Sequence, residues 1–80
     1  MDSGRFEEIR EIMANVMMVD PEDIQLDSTP NTLSAWDSMR HLNLVLALED
    51  TFGFALAPEE ADKLIDVRTI VMTVDQKLQA

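Results

Sequence analysis

Ser38 directly follows Asp37, where a long loop gives way to a segment of helical apolar periodicity. An Asp in that position accepts hydrogen bonds from the unpaired N–H groups of a first turn, so Asp37 is read as a cap and Ser38 as part of that turn. Helix starts carry the positive end of the dipole, and a phosphate esterified to the Ser38 hydroxyl would meet free N–H groups there. The same signal is given by any serine placed near a helix start for capping. His41, three residues on, offers a second reading as a general base that would make Ser38 a hydrolase nucleophile. No oxyanion-hole loop or nucleophile-elbow pattern accompanies it. The helical projection sets His41 near the core arc, as a part-buried side chain touching the preceding loop. With no cysteine there is no thiolate nucleophile, disulfide or Cys-based zinc site, and a single histidine builds no His cluster. The acidic run from Asp20 to Asp23 lacks the alternating ligands and central glycine of a calcium loop, and reads as solvated turn charge.

These residues must be positioned by a small scaffold. Eighty residues suit one domain, taken as 1–80, whose modest core argues against an elaborate enzyme pocket. Hydrophobic residues make up 46% of the chain, which separates it from disordered sequences despite a net charge of -10. That charge repels nucleic acid and anionic lipid and favours protein partners with Lys and Arg patches. Residues 1–10 lack the apolar stretch of a signal peptide, and no run is long enough to span a bilayer. A cytoplasmic monomer with no membrane or nucleic-acid partner is the expectation.

Phe6, Ile9, Ile12, Met13, Val16 and Met17 recur at three- and four-residue spacing and predict a first amphipathic helix, ended by the turn signature Asp20-Pro21-Glu22-Asp23. A long connection follows to about Trp36. Ile24, Leu26, Leu33 and Trp36 are spaced along it as apolar pins, which predicts an ordered loop. The second helix should run from the Asp37 cap to Gly53. Pro58 opens a short third helix, with Ala61, Leu64 and Ile65 facing inward. Asp66 caps a last helix whose buried face is Val67, Ile70, Val71, Val74 and Leu78. The fold class is therefore all-α, a four-helix bundle of three longer helices and one short one.

Within the second helix, Leu44, Val45, Leu48 and Phe52 share one arc, while Met39, Leu42 and Leu46 share a neighbouring arc edged by Asn43, Glu49 and Asp50. One arc suffices for a core. The other is either a partner-binding face or the sign of a central helix buried more widely.

The run from Trp36 to Gly53, Trp-Asp-Ser-Met-Arg-His-Leu-Asn-Leu-Val-Leu-Ala-Leu-Glu-Asp-Thr-Phe-Gly, resembles the phosphopantetheine attachment segment of acyl carrier proteins. The likeness extends to the Pro21-Glu22-Asp23-Ile24 turn, the long loop, Pro58-Glu59-Glu60-Ala61, and a final helix containing Thr69 and Ile70. The resemblance implies 4'-phosphopantetheine attached covalently to Ser38 by a phosphopantetheinyl transferase, with magnesium at the transferase site and Asp37 helping recognition. It implies a carrier, not an enzyme, that holds acyl groups as thioesters, the thiol coming from the arm. Met39, Leu42, Asn43, Leu46, Glu49 and Asp50, extended by Glu59, Glu60 and Asp62, would face partners: acyl-loading ligases or transferases, and synthase enzymes with basic surfaces. Met39 stands where the family usually has Leu. Arg40 and Asn43 are less acidic than their counterparts in carriers of primary fatty-acid synthesis, which favours a specialised lipid, polyketide or related pathway. Housekeeping fatty-acid and aminoacyl or peptidyl carriers stay open, the latter because Trp36 precedes the attachment pair. An unmodified helical adapter, binding proteins through the same acidic helix, is the alternative of another class.

Overall fold

The computed structural model describes residues 3–79, which form α1 (Ser3–Met17), α2 (Ser38–Phe52), α3 (Pro58–Asp62) and α4 (Val67–Gln79), with a single 3-10 turn at Pro21–Asp23. No strand occurs among the described residues, so the all-α, four-helix expectation holds. No described helix is long and apolar enough to cross a membrane.

Helices α1, α2 and α4 pack around one core, to which Ile9, Met13, Met17, Leu44, Leu48, Val67, Ile70 and Val74 contribute side chains that are almost completely buried. Each such side chain contributes about 1.5–3 kcal/mol relative to exposure. The loop between α1 and α2 joins this core through Ile24, Leu33 and Trp36, all buried, with Leu26 packed at its edge. Polar ties fix its path. Arg10 Nε donates to the Ile24 carbonyl at 2.9 Å. The carbonyls of Leu26 and Ser28 accept from the Arg68 and Val67 N–H groups at 2.9 and 3.2 Å. The loop thereby satisfies donors that the first turn of α4 cannot pair within its own helix.

Three expectations are corrected. Helix α1 stops at Met17, ahead of the proline, because Met18 takes a left-handed conformation (φ 60°) and the Val19 N–H returns to the Ala14 carbonyl at 3.1 Å. That closing bond satisfies a terminal carbonyl without a glycine. Ile65 is 62% exposed instead of inward-facing, since α3 ends at Asp62 and the helical period no longer applies beyond it. Leu78 is 41% exposed, in the last turn of α4, where no other element covers it.

Helix α3 is held chiefly by Leu64 and Ala61 against the core and by one carboxylate. Glu60 accepts from the Ala57 N–H at 2.9 Å and pairs with Lys77 of α4 at 2.8 Å. The Lys77 ammonium, then the Ala57 N–H, hold the Glu60 carboxyl below its ordinary value of 4.5. The Thr69 hydroxyl and N–H do the same for Asp66, ordinarily 3.8, which caps α4 at 2.7 Å. Depressed carboxyls stabilise the fold above their unfolded values and lose that contribution as pH falls through the folded ones. Acidification below about pH 4.5 is therefore expected to loosen α3 and the start of α4 before α1 and α2, read as amide exchange along the chain. Glu60→Gln should remove most of this sensitivity in α3. Uniform loosening of all four helices would contradict it.

Candidate functional site

Asp37 is in extended geometry (φ -99°, ψ -177°), and its Oδ1 accepts from the Arg40 N–H at 2.8 Å. Such a cap contributes about 1 kcal/mol. Ser38 begins α2 and is exposed. Arg40 folds back over the loop, with Nη1 3.4 Å from the Ala35 carbonyl and 3.6 Å from Asp37 Oδ2. Gly53 closes the helix at φ 74°, its N–H donating to the Glu49 carbonyl, as the sequence predicted.

Ser38 lines an open, mainly apolar groove of about 820 Å³ between α2 and α3. Leu42, Val45 and Leu46 form the α2 wall, and Pro58, Ala61 and Leu64 lie opposite with Ile65 on the lip. Trp36 and His41 lie beside Ser38 in the same lining. Trp36 is 2% exposed, and its Nε1–H donates to His41 Nδ1 at 2.9 Å. His41 Nε2–H donates to the Ala61 carbonyl, also at 2.9 Å. With both ring nitrogens committed, His41 is the part-buried, loop-touching side chain that the helical projection suggested, and its lone pair is not aimed at Ser38.

The structure gathers some of the sequence-selected residues and leaves others apart. Asp37, Ser38, Leu42, Leu46, Glu49 and Asp62 line the groove, whereas Met39, Asn43, Asp50, Glu59 and Glu60 lie outside it. Met39, Leu42 and Leu46 are 74, 59 and 54% exposed, so the second apolar arc of α2 is a surface and not core. Asn43, Asp50, Glu59 and Asp62 are also exposed. Glu49 is half-buried and engaged, accepting from the Leu56 N–H at 2.8 Å to anchor the loop into α3. Glu60 is similarly occupied by Ala57 and Lys77. Pro30, Leu56 and Ile65 belong to the groove without having been chosen as site residues, for they reach it only through loop conformation.

An exposed serine hydroxyl at a capped helix start, beside an apolar groove, fits a phosphoester-linked arm. Residues 7–74 match the family described as "Phosphopantetheine attachment site". The chain belongs to the phosphopantetheine-binding acyl carrier protein family. Among its relatives, an acyl carrier protein of Campylobacter hominis is 33% identical over 70 residues, 88% of this chain and 89% of the relative. One from Thermosynechococcus vestitus is 33% identical over 75 residues, 92% of this chain and 91% of its own length. A third, from Petrotoga mobilis, is 30% identical over 73 residues, 91% and 86% of the two chains. Acyl carrier proteins bear 4'-phosphopantetheine on a serine, and they interact with phosphopantetheinyl transferases and biosynthetic enzymes. In this carrier, residues 36–53 supply both the exposed serine and the helix that forms one wall of the groove.

Proposed function

We propose that this chain is a single-domain acyl carrier whose arm is attached at Ser38, serving a specialised lipid, polyketide or related pathway. The observation that carries the reading is Ser38 itself: exposed, first in α2, and opening onto the apolar groove. When bound, the arm supplies a thiol that takes acyl groups as thioesters. The chain's own residues attach and present it. The first-turn N–H groups of α2 left free by Asp37 would favour a phosphoester on Ser38, while Asp37 fixes that turn and remains exposed for the transferase. Val45, Leu46, Leu64 and Ile65 would give apolar cargo an apolar surface along the open groove. Met39, Leu42 and Leu46 offer partners an apolar strip rimmed by Asn43, Asp50 and Asp62. A synthase with a basic surface suits that rim. The chain itself breaks no bond; it raises the effective concentration of cargo at each partner's active site.

Incubation with coenzyme A, magnesium and a broad-specificity phosphopantetheinyl transferase should add one arm to the intact mass. A folded chain that gains nothing, beside a control carrier that does, would put the unmodified adapter ahead. The pathway is tested separately on the loaded chain. Asn43 is exposed, and Asn43→Glu restores acidity to the face next to Ser38. A malonyl transferase of primary fatty-acid synthesis should act poorly on the parent and on the order of tenfold better on the variant, about 1.4 kcal/mol of recognition. Efficient malonylation of the parent, unimproved by Asn43→Glu, would instead favour the housekeeping role.

A further inference from the structure

His41 is the chain's single histidine and Trp36 its single tryptophan. The two ring centroids are 6.0 Å apart, and the Trp36 N–H donates to His41 Nδ1 at 2.9 Å. A carbonyl cannot donate, so the bond between His41 Nε2 and Ala61 O fixes the ring proton on Nε2 and leaves Nδ1 bare. The imidazole in this arrangement is neutral. One ring thus ties together the end of the long loop, α2 and α3. The indole is 2% exposed, so its N–H has little access to water if His41 withdraws as acceptor. Helix α3, five residues long, has few other ties.

We infer that His41 is a positioning residue acting as a proton-operated latch on the groove. With the ring neutral, it accepts from Trp36, which precedes the Asp37-Ser38 pair, and ties α3 to α2 through Ala61. A proton taken from solvent onto Nδ1 sets N–H against N–H, so the Trp36 bond is lost while Nε2–H still donates to Ala61. The indole then turns to find another acceptor, and the mouth of the groove beside Ser38 changes shape with it.

Carboxylates share the groove with His41. Asp37 and Glu49 of α2 and Asp62 of α3 line the same groove, and no charged side chain of α1 or α4 is among its lining residues. Arg40, the nearest cation along α2, is held by the Ala35 carbonyl and Asp37. Glu60 and Lys63 flank Ala61 on either side along the chain, the first paired with Lys77. Protonation costs His41 the Trp36 bond and leaves its Ala61 bond in place. None of this depends on whether Ser38 carries an arm.

The test uses the full chain without an arm. His41 ring resonances, the Trp36 indole N–H resonance and tryptophan fluorescence are followed between about pH 5 and 8, where imidazoles as a class change charge. All three should report one step with a shared midpoint, while the amides of residues 60–64, whose tie to the His41 Nε2–H is kept, should exchange at the same rate on either side of it. His41→Gln keeps an N–H for Ala61 but cannot titrate, and should abolish the step in fluorescence. His41→Phe should show fast exchange in α3 at every pH. Trp36 signals that ignore the His41 midpoint would overturn the latch, as would a pH step that persists in His41→Gln. If His41→Phe does not fold, the parent and the Gln variant decide the matter.

Discussion

Replacing Ser38 by alanine is expected to abolish transfer of phosphopantetheine to the chain while leaving its fold intact. The hydroxyl is exposed and joins no hydrogen bond on which the core depends, since the cap of α2 is supplied by Asp37 and not by Ser38. Surface substitutions of that kind shift stability by no more than about 0.5 kcal/mol. Loss of loading should therefore be complete, with the urea midpoint nearly unchanged. The two readouts separate a missing attachment point from a damaged scaffold. An alanine variant that still gains an arm would place the attachment elsewhere, whereas one that unfolds would mean the hydroxyl has a structural role that its exposure does not suggest.

The largest effect on stability is expected at Trp36. Its side chain is 2% exposed, belongs with Leu33 and Leu64 to the core cluster, and closes the loop that leads to Ser38. Truncating a buried aromatic to alanine costs about 3–5 kcal/mol through lost transfer energy and the cavity left behind. Whole domains are stable by only about 5–15 kcal/mol, and one this small sits toward the lower end. Trp36→Ala should thus lower the urea midpoint sharply and populate unfolded chain at moderate temperature. Trp36→Phe keeps most of the apolar area while losing the N–H bond to His41, so its cost should be a fraction of that. Equal midpoints for Trp36→Ala and the parent would show that the loop does not depend on this pin.

What the sequence revealed, and what it hid, follows from the range of the interactions concerned. Asp37 and Gly53 bracket α2 because capping and left-handed closure are local chemistry, visible within a few residues. Val67, Ile70, Val71 and Val74 are buried as periodicity required, since a helix converts spacing into a face. Met18 carried no comparable signal: a methionine at φ 60° ends α1 where a glycine would have announced it. Ile65 was misplaced by extending helical spacing beyond the end of a five-residue helix. The second apolar arc of α2 left two readings open, and the exposure of Met39, Leu42 and Leu46 resolves them toward surface. Glu49 and Glu60 looked like free surface acids, yet each accepts a backbone N–H from the loop between α2 and α3, a pairing set by tertiary geometry. The groove was the least legible feature. Ser38 and the α2 wall come from one segment, but Pro30, Leu56 and Ala61 are brought to it by loops without periodicity.

The scaffold divides its labour accordingly. A rigid core of α1, α2 and α4 fixes the position of Ser38, while the lightly held α3 and its His41 tie border the space beside it. Changes at the second of these parts should alter handling of cargo, and changes at the first should alter folding.

The most direct test of the central claim is fragment mass mapping of the loaded chain, which locates the arm on a single residue. Phosphopantetheine found on Ser38, and on no other serine or threonine, is the predicted result. An arm mapped to Ser28, Ser34 or any other hydroxyl would contradict the account and detach the groove from the chemistry assigned to it.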